Sequence, residues 1–172
     1  NPDYFGGRPF IDRVVVRVIP DSSVQFLELR NQSIDSMGLT PDQYQAYDSF
    51  FQNHQKFRYP SFSYTFLGFN LRRDVFKDLR VRQALAMALD KREIIDGVLM
   101  GFGRSATGPF PPSSWAFDPT VPELPFDPAR AKALLDEAGW RDTDGDGVLD
   151  KDGKPFSFTV ITNQGNKMRE QT

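Results

Sequence analysis

The chain has 172 residues, 39% of them hydrophobic, a formal net charge of −2 and no cysteine. That is enough to bury one substantial core or two small ones. It excludes disulfides, thiolate metal sites and cysteine nucleophiles, and the near-neutral charge leaves no electrostatic footprint for nucleic acid or an anionic membrane.

Asn1 to Pro9 is rich in turn residues. Ile11–Ile19 alternates, with Val14, Val16 and Val18 on one side, and predicts a strand with one buried face that Pro20 ends. Asp21 is placed to cap a short helix through Val24, Leu27 and Arg30, and Ser33–Met37 reads as a short strand. Thr40-Pro-Asp-Gln is a helix start, with Thr40 as N-cap, Pro41 at the first helical position and Gln43 closing the capping box. Tyr44, Tyr47, Phe50 and Phe51 supply its aromatic stripe, which reads as core packing because no basic residues interleave with them. His54, the only histidine, lies in the polar run Gln52-Asn-His-Gln-Lys56 and reads as a solvated side chain.

Ser61–Asn70 predicts a second strand, with Phe62, Tyr64, Phe66 and Gly68 on one face. A glycine inside a strand marks a bulge or the close approach of a backbone or ligand, which singles out Gly68. Asp78 then caps a helix with Val81, Leu85, Ala88 and Leu89 on one face, and Asp90 with Glu93 starts another with Ile94, Ile95, Val98 and Leu99 inward and Gly101 at its end. The pairs Arg72-Arg73 and Lys91-Arg92 read as solvated charges. Gly103 to Pro128 is a stiff, proline-rich connection that wraps a surface. Asp127-Pro128 restarts a helix with Ala131, Leu134, Leu135 and Ala138 inward; Gly139-Trp140 ends it, Trp140 folding back on the last turn. Lys154–Thr162 predicts a last strand, with Phe156, Phe158 and Val160 on one face.

Asp142-Thr-Asp-Gly-Asp-Gly-Val-Leu-Asp150 is the loudest local motif. Asp142, Asp144, Asp146 and Asp150 stand at the first, third, fifth and ninth positions of a calcium loop, with glycine at the sixth. Gly153 stands where the bidentate glutamate belongs, and strand chemistry follows instead of a helix, so an Asp/Gly turn joining helix to strand is the competing reading. No hydrolase elbow, nucleotide loop or dinucleotide fingerprint is present, and the chain reads as no enzyme. No run approaches the about 18 apolar residues of a membrane span. The chain opens on Asn1-Pro-Asp-Tyr and stops at Gln171-Thr172 with no signal pattern, and the expectation is a piece of a longer protein.

Several segments together resemble the extracellular solute-binding proteins of family 5, the oligopeptide and dipeptide receptors of ABC importers. They are Asn1-Pro-Asp-Tyr with Gly7-Arg-Pro-Phe-Ile-Asp12, Ser33-Ile-Asp35, Phe69-Asn70 with Arg80-Val-Arg-Gln-Ala-Leu and Leu89-Asp90, Gly101-x-Gly103, Pro109-x-Pro-Pro112, and Asp127-Pro128 through Gly139-Trp140. At Ser33-Ile-Asp35, which is similar to the family's Gly-x-Ile-Asp element, serine and asparagine stand where glycine and glutamate are usual. The resemblance implies an α/β fold of the type II periplasmic-binding-protein-like kind, two lobes around a cleft, with only part of each lobe present. It puts residues 1–60 in lobe I and 61–172 in the N-terminal part of lobe II, with the hinge near 61–70. It implies ligand contacts from Tyr64, Phe66, Gly68 and Asn70 and from Met37, Gly38 and Leu39, a peptide or other small ligand, an ABC permease as partner, and a monomer. It also implies a periplasmic or extracellular setting, with a lipid anchor in the full-length form, and it favours the plain turn over calcium at Asp142–Asp150. The competing classes are a calcium-stapled structural or adhesion module and a ligand-sensing regulator on the same fold.

Overall fold

The computed structural model describes residues 3–46 and 50–172. The chain divides into two units, Asn1–His54 and Gln55–Thr172.

In the first unit, α1 (Ser22–Arg30) starts where Asp21 accepts hydrogen bonds from the amides of Ser23 (2.8 Å) and Val24 (2.9 Å). It ends in a paired closure: Ser33 N donates to Glu28 O and Gln32 N to Leu29 O, with Gln32 in the left-handed region at φ 58°. The buried face is Phe26 and Leu29, while Val24 and Leu27 stay exposed. Phe26, Leu29 and Phe51 form the core, against which Ile34, Met37, Leu39 and Phe50 pack. The aromatic rings of this cluster determine which face turns inward, since they carry the largest apolar area available.

α2 (Pro41–Ala46) follows the predicted capping box. Thr40 N donates to Gln43 Oε1 (3.1 Å) and Gln43 N to Thr40 Oγ1 (3.4 Å), while the buried Gln43 amide also donates to Ser22 O (3.3 Å). Tyr47 lies outside the described residues. Phe50 and Phe51 sit in a single 3-10 turn (Phe50–Asn53) with their rings 5.0 Å apart, in the core as expected. His54 is the correction here. It is half-buried, its ring 4.7 Å from that of Phe50 and 6.0 Å from that of Phe51, and its Nδ1 is buried without a partner among the described residues. The imidazole presents a flat ring face, and the two phenylalanine rings cover it.

The second unit is built on two helices, α3 (Leu79–Met87) and α5 (Pro128–Glu137). Asp78 caps α3 through the amide of Arg80 (2.9 Å), and Asp127 caps α5 through the amide of Arg130 (2.8 Å). The helices run antiparallel, because opposite ends are tied together. Asp127 N donates to Met87 O (2.8 Å), and the Arg80 guanidinium reaches Glu137 O (2.6 Å). Ala84, Met87, Ala131 and Leu134 fill the interface, with Leu135 beside them. On α3 the buried face is Val81, Ala84 and Met87; the predicted Leu85 is half-buried, and Ala88 and Leu89 are exposed. Alanines on both helices permit the close approach that bulkier leucines would prevent. The predicted end of α5 holds: Gly139 at φ 89° lets Trp140 N reach Leu135 O and Gly139 N reach Asp136 O. The Trp140 ring, however, meets Phe156 edge-on at 4.9 Å.

α4 is one turn only (Lys91–Glu93), capped by Asp90, and it widens into a π-helical turn over Ile94–Val98 before Met100 and Gly101 reverse the chain at positive φ. Lys91 is not freely solvated: its ammonium pairs with Glu123 at 3.0 Å and pins the proline-rich connection, with Ser105 bonded to the same carboxylate. A hairpin of β1 (Asp150–Lys151) and β2 (Lys154–Pro155) closes on Asp152 and Gly153, both at positive φ as a tight hairpin turn demands. The short helix α6 (Lys167–Glu170) follows.

These two strands are the only ones among the described residues. Ile11–Ile19, Ser33–Met37, Ser61–Asn70 and most of Lys154–Thr162 make no ladder there, and Val14, Val16, Val18, Val160 and Ile161 lie exposed. A helix satisfies its own backbone, whereas a strand needs a partner at about 4.8 Å, and the described residues supply none for these runs.

Candidate functional site

The run Ser61–Asn70 lies in the second unit, exposed throughout except at Phe69. On one side the Tyr64 and Phe66 rings lie 5.5 Å apart, and a Cβ placed on Gly68 would come within 3.3 Å of the Phe66 ring. These three positions therefore share one face, as the period-two pattern predicts. Phe66 is 71% exposed and Tyr64 47%. A Cβ at 68 would ask the exposed Phe66 ring to give by a few tenths of an ångström, and Gly68 has no positive φ.

The opposite side is anchored. Phe69 packs at 5.2 Å from Phe76, which is buried, and Phe76 meets Phe158 edge-on at 5.3 Å. Phe158, Phe156 and Trp140 continue the series, so a ladder of five rings runs from this segment to the end of α5. The alternating Phe156 and Phe158 were visible in sequence as a strand face; their meeting with Phe76 was not. Asn70 ends the run by holding a turn. Its Oδ1 accepts from Arg72 N and its carbonyl from Arg73 N, both at 3.0 Å. Its side chain thus has a structural duty beside any contact with ligand.

Met37, Gly38 and Leu39 belong to the first unit. Met37 and Leu39 pack on its aromatic core, and Gly38 between them is exposed.

The Asp-rich loop is pinned at its base by paired hydrogen bonds between Arg141 and Asp150 (3.0 and 2.7 Å). Asp142, Asp144 and Asp146 bring one carboxylate oxygen each within 4.8 Å of one another, all exposed. Asp150 is not part of that group; its carboxylate accepts from Thr143 N (3.0 Å) and Thr143 Oγ1. Asp142 accepts from the amides of Gly145 (2.7 Å) and Gly147 (3.0 Å), Asp144 from Asp146 and Asp146 from Val148. The carboxylates thus organise the turn by themselves. Gly153, the twelfth position of the motif, is taken up by the hairpin turn.

Electrostatic perturbation gathers at ion pairs and caps. Hydrogen bonds from the Arg80 side chain and amide hold the Asp78 carboxyl down at about 2. The Ser105 hydroxyl and then the Lys91 ammonium hold Glu123 below its usual range. These are joints of the scaffold, and no acid–base pair suited to catalysis arises from them.

The profile of the bacterial extracellular solute-binding proteins, family 5 Middle, matches residues 1–172. Oligopeptide-binding protein AppA of Bacillus subtilis (strain 168) is 44% identical over 172 residues, covering 99% of this chain and 32% of AppA. The dipeptide-binding protein of Escherichia coli (strain K12) is 33% identical over 136 residues, covering 79% of this chain and 25% of that protein. The chain therefore spans between a quarter and a third of the length of these relatives. Among solved structures, AppA in complex with a nonapeptide superposes with a TM-score of 0.83 at 42% identity, over 99% of this chain and 34% of the other. NikZ of Campylobacter jejuni in complex with Ni(L-His) superposes with a TM-score of 0.68 at 34% identity, over 80% of this chain and 27% of the other. The fold is thus that of the periplasmic-binding-protein-like solute receptors, of which the chain holds a part.

Proposed function

The chain belongs to the bacterial extracellular solute-binding proteins of family 5, and on that premise we propose that it is part of the substrate-binding component of an ABC-type peptide importer. In this reading the whole protein closes two lobes on an oligopeptide or dipeptide outside the cytoplasm and delivers it to a membrane permease. It acts by binding and release and performs no bond chemistry. Residues 1–60 contribute to one lobe, 61–172 to the other, and 61–70 crosses the hinge.

The observation that carries the proposal is the exposed face of Tyr64, Phe66 and Gly68, set on an anchored segment, in a chain 44% identical to an oligopeptide-binding protein. An extended peptide is held through its backbone, with shallow apolar contacts that tolerate many side chains. A ring pair beside a glycine offers such a surface. Asn70 fixes the end of the segment.

The test is to express the full-length protein, denature it and identify co-purified small molecules by mass spectrometry, then titrate the emptied protein with a nonapeptide mixture. Peptides of several sequences are expected to co-purify and to rebind. Recovery of a nickel–histidine complex with no affinity for peptides would overturn the peptide assignment.

A second reading concerns Asp142, Asp144 and Asp146, whose converging oxygens favour a calcium staple on the turn after α5. Calorimetry with calcium chloride on the full-length protein and on Asp144→Ala decides it: heat in the first and none in the second supports the staple, and no heat in the first ends it.

A further inference from the structure

Arg80 and Arg82 lie two residues apart on α3 but differ in what they hold. Arg80 pairs with the Asp78 carboxylate and one carbonyl of α5. Arg82 directs its Nη1 to two main-chain carbonyls, Phe76 O at 2.6 Å and Lys77 O at 2.9 Å. Those carbonyls stand at the C-terminal end of the 3-10 turn Asp74–Phe76, just ahead of the Asp78 cap. A charged donor shared by two carbonyls is among the stronger hydrogen-bonding arrangements available to a short turn.

What the turn carries is the Phe76 side chain. That ring is buried and lies against Phe69, which stands between Gly68 and Asn70. We propose that Arg82 is the positioning residue of the ligand segment: its guanidinium fixes the Asp74–Phe76 turn, the turn fixes the Phe76 ring, and the ring holds Phe69 so that Gly68 and Asn70 keep their places. The inference rests on the reading that 61–70 borders the ligand. It assigns Arg82 no contact with ligand. Lysine at this position still reaches one of the two carbonyls, whereas glutamine is too short and uncharged to hold both.

The experiment uses the full-length protein, with a mixture of synthetic nonapeptides as probe. Affinity is read by calorimetry, and local order by hydrogen exchange in peptides covering 67–70 and, as an internal control, α5. Arg82→Gln is expected to weaken binding about tenfold, because part of the binding free energy then goes to ordering the loosened segment. It should also speed exchange over 67–70 while α5 keeps its protection, and Arg82→Lys should recover most of both. Equal loosening of α5, or unchanged exchange over 67–70, overturns the proposal. Gly68→Leu separates the two levels. If it abolishes binding while Arg82→Gln changes neither readout, the site reading stands and the positioning role falls. If Gly68→Leu binds as the wild type does, the site reading falls, and faster exchange over 67–70 in Arg82→Gln still upholds the clamp on the segment.

Discussion

The α3–α5 pair and the run Ser61–Asn70 belong to the same unit and are both rich in apolar residues, yet they use them in opposite ways. In the helix pair Val81 and Ala84 are 0% and 1% exposed, with Ala131 and Leu134 nearly as deep; in the run, Phe66 is 71% exposed. The difference follows from the backbone. Each helix satisfies its own amides, so two of them need only bring apolar faces together. The run has no ladder partner among the described residues, so only the side that meets Phe76 is packed. Apolar composition alone therefore does not tell a buried face from an exposed one; the test is whether the backbone beneath it is already satisfied.

This contrast can be broken at either end. The largest effect is expected from Leu134→Ala, which opens a cavity between α3 and α5. A loss of about 2–5 kcal/mol in urea denaturation is expected, and a loss below about 1 kcal/mol would remove the pair from the core. Gly139→Val comes next. It forces a β-branched residue to φ 89° and presses a Cβ to 3.3 Å from the Lys151 side chain, for about 1–2 kcal/mol or more.

Asp78→Asn should be smaller and pH-dependent. The folded carboxyl sits at about 2 against an ordinary 3.8. The folded value is the lower one, so the stabilisation is present above the ordinary value and fades as pH falls through about 2. The variant should lose that slope between about pH 4 and 2 while changing stability at neutral pH by about 1 kcal/mol or less, since solvent screens the pair. A denaturation series across pH checks both. The smallest stability effect belongs to Phe66→Ser, within about 0.5 kcal/mol for an exposed side chain. If the face is a binding surface, the same variant should nonetheless lose peptide affinity in calorimetry. Strong destabilisation by Phe66→Ser would instead make that ring part of a core.

The helix starts were legible because each is written within a few residues. Asp21, Thr40 with Gln43, Asp78, Asp90 and Asp127 all cap as their spacing predicts. The buried faces were less so. On α3 the sequence offers Leu85, Ala88 and Leu89 as readily as Ala84 and Met87, because alanine and leucine stand on several sides of the helix. His54 misled for a related reason: its neighbours in sequence are polar, but its neighbours in space are Phe50 and Phe51. The calcium spacing was equally plain in sequence; what it could not show is that Asp150 binds Thr143 and that Gly153 lies in the hairpin turn, while Asp142, Asp144 and Asp146 converge.

By itself, then, the sequence determined the caps, the Gly139 closure, the alternation of Tyr64, Phe66 and Gly68, and the family, since each is encoded in local spacing or in an ordered set of short motifs. Only the tertiary structure decided which stripe of α3 meets α5, that Phe76 joins Phe69 to Phe158, and that Arg82 holds two carbonyls while Arg80 takes a carboxylate. Those choices depend on where a distant part of the chain returns, and on which side chains are small enough to let it approach.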